Sequence, residues 1–191
     1  MRYPSEHKAG VHQMIVKEAS RRVRAEGLNG TAIATVMRDT GLTHGGFYKH
    51  FASKDELLVE SLREAFRDNT DKLVRAADQS HSEAPWRAIV KSYLSLEYCD
   101  RVERGCPLTA LAPEMARVDK SMGSQIFAEL VNYRDRMLLF MPGRRTADKE
   151  RAFFAIFSTM IGAVEIARML TDRAAQEKVL GSIREFLMRS F

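Results

Sequence analysis

The stretch TAIATVMRDTGLTHGGFYKHFASKDEL, residues 31–57, concentrates the side chains whose types and spacing can do chemistry. His44, Tyr48, Lys49 and His50 can donate hydrogen bonds to phosphate oxygens or to base edges. Gly45 and Gly46 stand among them, where each glycine costs a helix about 1 kcal/mol relative to alanine. They are not there for stability. A helix lacking side chains at these positions can bring its backbone close to a groove wall. Phe47 and Phe51, four apart, are expected to pack inward. Lys54 falls in the first turn of the next helix, where the helix dipole opposes its charge. A phosphate lying at that N-terminus would meet both the ammonium and the free N–H groups. The chemistry is recognition of a polyanion.

Such residues need two short helices joined by a tight turn. The pattern predicts the first over Ile33–Thr40, with Thr31 as its N-cap. Gly41 breaks it, and Thr43 can cap the second, which runs to about His50. This is the plan of a helix-turn-helix over about residues 32–51, with the second helix in the DNA major groove. Upstream, Val11, Ile15, Ala19 and Val23 step by four along one face of a helix that Gly27 ends. Downstream, Ser53 and Glu56 form a capping box. The helix it opens carries Leu57, Leu58, Leu62, Phe66 and Leu73 and runs to about Asp78.

Beyond a polar loop at 79–85 the spacing predicts further helices at about 86–100, 108–118, 123–141, 147–170 and 173–189. Pro113 is expected to kink or split the second of these, and Gly105 and Pro107 to break the chain before it. The fold class is therefore all-α, with about nine helices. Residues 1–54 form a three-helix DNA-binding unit and 55–191 a larger helical unit.

The charge distribution agrees. The chain carries 30 Lys plus Arg against 25 Asp plus Glu, a net charge of +5 over 191 residues. Residues 1–54 hold 9 basic and 4 acidic side chains, which accounts for all of it. A cationic first quarter on a neutral remainder suits a module that meets nucleic acid. No uninterrupted apolar run is long enough to span a bilayer, and the polar first ten residues do not read as a secretory signal. Two cysteines cannot staple a domain of this size, which points to a reducing cytoplasm. The motifs of nucleophile elbows, zinc proteases, P-loops and dinucleotide sites are missing from the sequence, and the histidines and cysteines show no metal spacing. The reading is therefore non-enzymatic, without metal or cofactor. The competing class is a helical protein-interaction module whose helix-turn-helix only packs. It accounts for the helices but not for the charge split or the glycines.

At this point the segment resembles the TetR family of bacterial transcriptional regulators. The resemblance rests on Thr43, Gly45, Phe47, Tyr48, His50, Phe51, Lys54, Asp55 and Leu57, with Gly27, Thr31, Ile33, Val36, Gly41 and Leu42 upstream. It covers about residues 11–58. Met37 departs from it, standing where the family usually has a small Ala. The resemblance implies a homodimer on a palindromic operator, most often a repressor, released when a small molecule binds the C-terminal unit. It implies that Thr43, Tyr48, His50 and Lys54 hold phosphates while His44, Gly45, Gly46 and Lys49 face bases. Thr31 joins that DNA-contacting set. Lys17, Arg21, Arg22 and Arg24 supply general attraction, and Arg2 and Lys8 a loose arm.

In the C-terminal unit, Trp86, Tyr93, Tyr98, Met115, Phe127, Tyr133 and Met137 are candidates to line an apolar effector pocket. Cys106 and Cys99 lie near Arg101 and Arg104, whose charge would lower a thiol pKa. Gly105-Cys106-Pro107-Leu108 resembles a stretch of a TetR subgroup in which some regulators respond to electrophiles or oxidants, so a thiol-reactive inducer is one expectation. The helix at 147–170 is apolar over more than one face, so Phe153, Phe157, Met160, Ile161, Val164 and Leu170 are assigned to the dimer interface. The expected partners are operator duplex DNA, a small-molecule effector and a second copy of the chain, without a membrane.

Overall fold

In the computed structural model, residues 5–191 are described; Arg2 lies outside the described residues. Nine α-helices and two short 3₁₀ helices make up the described chain, without a strand among them. They are α1 (Ser5–Gly30), α2 (Ile33–Asp39), a 3₁₀ helix (His44–Lys49), α3 (Lys54–Asp78), α4 (Pro85–Tyr93), α5 (Leu96–Asp100), a second 3₁₀ helix (Val102–Arg104), α6 (Pro107–Met115), α7 (Lys120–Leu138), α8 (Thr146–Met169) and α9 (Arg173–Ser190). Lys8 is on α1 rather than in a loose arm.

Two apolar clusters organise these elements. The smaller joins Ile15, Val16 and Ala19 of α1 to Val36 and Met37 of α2, to Phe47 and Phe51, and to Leu57. The larger begins at Val23 and Leu28 of α1 and Leu58 of α3 and takes in buried faces of α4 to α9. Helices α1 and α3 run through both clusters, so they are the mechanical links between them.

Local chemistry explains most helix ends. Gly27 adopts φ +84°, which interrupts α1 where the spacing predicted its end. Ser53 Oγ accepts from Glu56 N–H at 3.1 Å, and the Glu56 carboxylate accepts from the Ala52 N–H, closing the expected capping box one residue wider than usual. Asp119 and Asp172 cap α7 and α9 through their carboxylates.

Several expectations change. The helix predicted at 86–100 is two helices, because Leu94 and Ser95 leave helical geometry and Ser95 Oγ caps α5 by accepting from Tyr98 N–H at 3.2 Å. Pro113 does not split α6, which ends two residues later, so few backbone bonds are lost. Helix α8 is long and apolar enough by length and composition to cross a bilayer, a test that a buried core helix also passes. Eight of its residues are buried in the core of this chain.

Candidate nucleic-acid interface

The helix-turn-helix is built from α2, a turn at Gly41 with φ +72°, and the 3₁₀ helix His44–Lys49. Thr40 Oγ1 donates back to Val36 O and Met37 O, and Leu42 N–H donates to Met37 O at 2.8 Å, so the turn is closed by its own backbone. Phe47 and Phe51 are buried, 5.4 Å apart between ring centres, and they clamp the recognition segment onto α1. With these two side chains turned inward, Thr43, His44, Gly45, Tyr48 and Lys49 are left exposed. Tyr48 is 67% exposed.

The two glycines are not demanded by the interior. A Cβ at Gly45 would meet nothing within 4 Å, and one at Gly46 would make only ordinary contacts with Thr43 Oγ1 at 3.6 Å and Met37 Cε at 3.7 Å. Packing within the chain therefore does not account for the two glycines. The buried Met37 fits because its methyl end packs beside Gly46.

Not every expected residue faces outward. Thr31 is buried and its hydroxyl donates to Gly27 O at 2.8 Å; α2 is capped instead by Ala32, without a side-chain bond. The segment after Thr43 is 3₁₀ rather than α-helical, as glycine-rich single turns often are, and the Thr43 hydroxyl makes no capping bond. His50 is half-buried beside Phe51 and His12, with Nδ1 buried and unpartnered. Burial, then the charges of His12, Lys8 and Lys49, pull its pKa below the ordinary imidazole value. Lys54 reaches Asn29 O at 3.5 Å, beside the end of α1. Arg22 is engaged by Glu18, Glu26 and Asp39. Arg24 is buried, not part of a cationic surface. Lys17 and Arg21 remain exposed.

Residues 15–60 match the family model described as bacterial regulatory proteins, tetR family. That span contains α2, the turn and the recognition segment. This segment is similar to the DNA-binding segment of that family. The fold extends the likeness over the whole length. A TetR transcriptional regulator from Chloroflexus aurantiacus superposes with a TM-score of 0.76 at 22% identity, covering 96% of each chain. Escherichia coli NemR in its reduced form gives 0.74 at 13% identity, over 94% of this chain and 96% of that one. The transcriptional regulator FadR from Bacillus subtilis, solved with stearoyl-CoA, gives 0.66 at 13% identity over 94% and 98%.

The C-terminal half holds a buried polar cluster at its centre. Tyr93 and Tyr98 stack at 4.3 Å between ring centres. The Tyr93 hydroxyl pairs with Thr109 Oγ1 at 2.7 Å, and the Tyr98 hydroxyl donates to Asn69 Oδ1 at 2.5 Å. Asn69 Nδ2 in turn donates to the Tyr133 hydroxyl at 3.3 Å. Cys106 is fully buried against all three tyrosines. Burial raises the three phenols well above their ordinary value and raises the Cys106 thiol as well. Arg101 and Arg104 do not lower it: both are exposed, and Arg101 pairs with Glu97 at 3.0 Å. Burial likewise raises Cys99, despite the nearby Arg168. Both thiols are thus held protonated, the opposite of an activated cysteine.

The other pocket candidates are dispersed. Met137 is buried in the main core. Trp86 lies 6.2 Å from Phe191, beside the C-terminus. Met115 and Phe127 line an open depression between α6 and α7, and Phe127 is 67% exposed, so it walls no interior cavity. Asn69 and Thr109 were missed. Asn69 was detectable, because it is the polar member of the stripe Leu62, Phe66, Asn69, Leu73 on α3.

Of the six residues assigned to the dimer interface, Ile161 and Leu170 are partly exposed. Phe153, Phe157, Met160 and Val164 are buried within the single chain and cannot meet a partner. The free face of α8 presents Phe154, Ile166 and Met169, and it borders an apolar groove of about 520 Å³ lined by Gly162, Ile166, Val179 and Ile183.

Proposed function

We propose that the protein is a homodimeric, effector-released repressor that reads a palindromic operator through the exposed face of residues 43–49, acting in the cytoplasm. One observation carries the reading: the recognition segment exposes Thr43, His44, Tyr48 and Lys49 around two glycines that internal packing does not require. The DNA-binding unit ends near residue 54, where the capping box opens α3. A phosphate beside Lys54 would meet that helix start. Thr43 and Tyr48 bind phosphates, and Lys49 and His44 address bases. Two copies pair through the free faces of α8 and α9, which sets the spacing of the two recognition segments.

The effector is a small molecule that enters the cluster of Tyr93, Tyr98, Tyr133 and Asn69, where apolar rings and a few polar groups combine specificity with burial. FadR, bound to stearoyl-CoA, is a structural relative whose ligand is an organic molecule. The raised pKa values of the two thiols favour non-covalent binding over a thiol-reactive inducer.

Selection of the reduced protein from a random duplex pool tests the central claim. The expected product is a palindrome with half-sites about one helical turn, ~34 Å, apart or a multiple of it. Affinity should fall steeply with salt as phosphate-bound counterions are released. No enrichment at low salt would overturn the reading in favour of an interaction module.

A further inference from the structure

Arg24 is the one buried arginine of α1, only 4% exposed, and it stands where a DNA-binding cation was expected. Nε donates to Ser20 O at 3.0 Å and Nη2 to Ser20 Oγ at 3.3 Å. Nη1 is shared between Asp68 Oδ2 at 3.2 Å and Gly105 O at 3.1 Å. Ser20 is on the same helix and Asp68 is on α3. Gly105 belongs to the segment entering α6, and its neighbour is Cys106. One side chain of the helix that carries the DNA-side core thus grips the backbone of the polar cluster.

Stability alone gives a poor account of this contact. Burying a guanidinium is costly, and its carboxylate partner Asp68 is 47% exposed in its side chain. Replacing a buried ion pair as a whole by apolar residues of similar volume is often neutral, so such a pair is weak evidence of a purely stabilising role. A second tie lies nearby, where Glu114 Oε2 accepts from the Leu28 N–H at 2.8 Å. Both anchor points belong to α6 or the residues leading into it, so α6 holds α1 at two places.

We propose that Arg24 is the positioning residue through which the polar cluster controls the DNA-binding end of α1, with the Gly105 carbonyl as its point of attachment. The proposal rests on the regulator reading above. A ligand that parts Tyr93 from Thr109, or Tyr98 from Asn69, displaces Cys106 and carries the Gly105 carbonyl with it. Arg24 then loses that acceptor. Because α1 is regular from Ser5 to Glu26, the loss is conveyed along the helix to Ala19, Val16 and Ile15. These residues pack against Phe47 and Phe51, which hold the recognition segment.

A double-mutant cycle tests it without knowledge of the effector. Cys106→Met enlarges a fully buried side chain against the tyrosines and stands in for an occupied cluster. The readout is affinity for the selected operator duplex at fixed salt, with melting temperature as the control. Cys106→Met is expected to weaken binding at least tenfold. Arg24→Met is expected to weaken it comparably when assayed well below the melting temperature of each variant, and the double variant to be no worse than twofold below Arg24→Met. Should Cys106→Met fail to fold, Thr109→Val, which removes the hydrogen-bond partner of the Tyr93 hydroxyl at nearly constant volume, takes its place with the same pattern. Equal fold losses in the two Arg24 backgrounds, or no loss from either cluster variant, would overturn the coupling. Sequence-specific binding by the unaltered protein would then leave the regulator reading standing, whereas its absence would sink both.

Discussion

A side chain that the fold does not use can be removed without harm to the fold, and Tyr48 is such a side chain, with its ring mostly in solvent. Tyr48→Ala is therefore expected to leave the melting temperature unchanged and to lower operator affinity about tenfold, the equivalent of about 1.4 kcal/mol. Fluorescence anisotropy with a labelled duplex measures it, and undiminished affinity would remove Tyr48 from the interface. His50 leads to a pH dependence. Its folded pKa lies below the unfolded value, mainly through burial, so the unfolded chain binds its proton more readily. Stability is complete above the ordinary imidazole pKa of about 6.5 and declines as pH falls through that value toward the lower folded one. His50→Gln should flatten this decline in thermal unfolding scans between about pH 7 and 5; an unaltered slope would assign it to other groups. At this scale the sequence revealed which side chains of the recognition segment stay exposed, because exposure and helical spacing are local properties. It misplaced Thr31 and Arg24, whose partners inside the chain lie four and 81 residues away respectively. Charge alone marked Arg24 as a surface cation; only the return of Gly105 to α1 shows otherwise.

Helix ends were legible where a side chain closes its own helix. Ser53 with Glu56 is visible in four consecutive letters, and so is the glycine that ends α1. The division of α4 from α5 was not, because the apolar spacing runs on through Leu94 and Leu96 while the break depends on Ser95 acting as a cap. The 3₁₀ character of the recognition segment was missed for a related reason: spacing cannot distinguish a single α turn from a 3₁₀ one. Gly27 is the element-scale position with the clearest requirement. It combines φ +84° with a site where a Cβ would lie 2.6 Å from Glu114 Oε1. With ψ +168° this is an essentially glycine-only region of the backbone, which costs an L-residue about 1–3 kcal/mol. The glutamate can swing aside, but only by giving up the Leu28 N–H. Gly27→Ala should therefore destabilise the protein by about 1–3 kcal/mol in denaturant unfolding. Neutral behaviour of Gly27→Ala would mean that the end of α1 rearranges freely.

For the whole molecule, the proposed pairing of two copies turns on which side of α8 is free. The sequence placed large apolar residues nearly all round this helix and so could not separate core from interface; solvent exposure does. One side packs against Tyr93 and Tyr133 through Phe157, and the other leaves Ile166 at 53% and Met169 at 81% exposure. A two-fold interface uses the same patch on both copies, so one substitution on the free face acts twice. Ile166→Glu would set two carboxylates into a desolvated contact, where unpaired charge is strongly unfavourable. Light scattering on a sizing column should then report the 21.7 kDa chain in place of a particle of twice that mass, while the helical circular dichroism signal is retained. Met160→Glu provides the contrast. Met160 is fully buried within the chain, so its replacement should unfold the subunit rather than separate two folded ones. A monomeric unaltered protein, or an Ile166→Glu variant that stays dimeric, would move the interface off α8. Operator affinity then becomes the decisive link: if paired recognition segments read a palindrome, folded Ile166→Glu monomers should lose the cooperative gain of the second half-site while still binding a single half-site weakly.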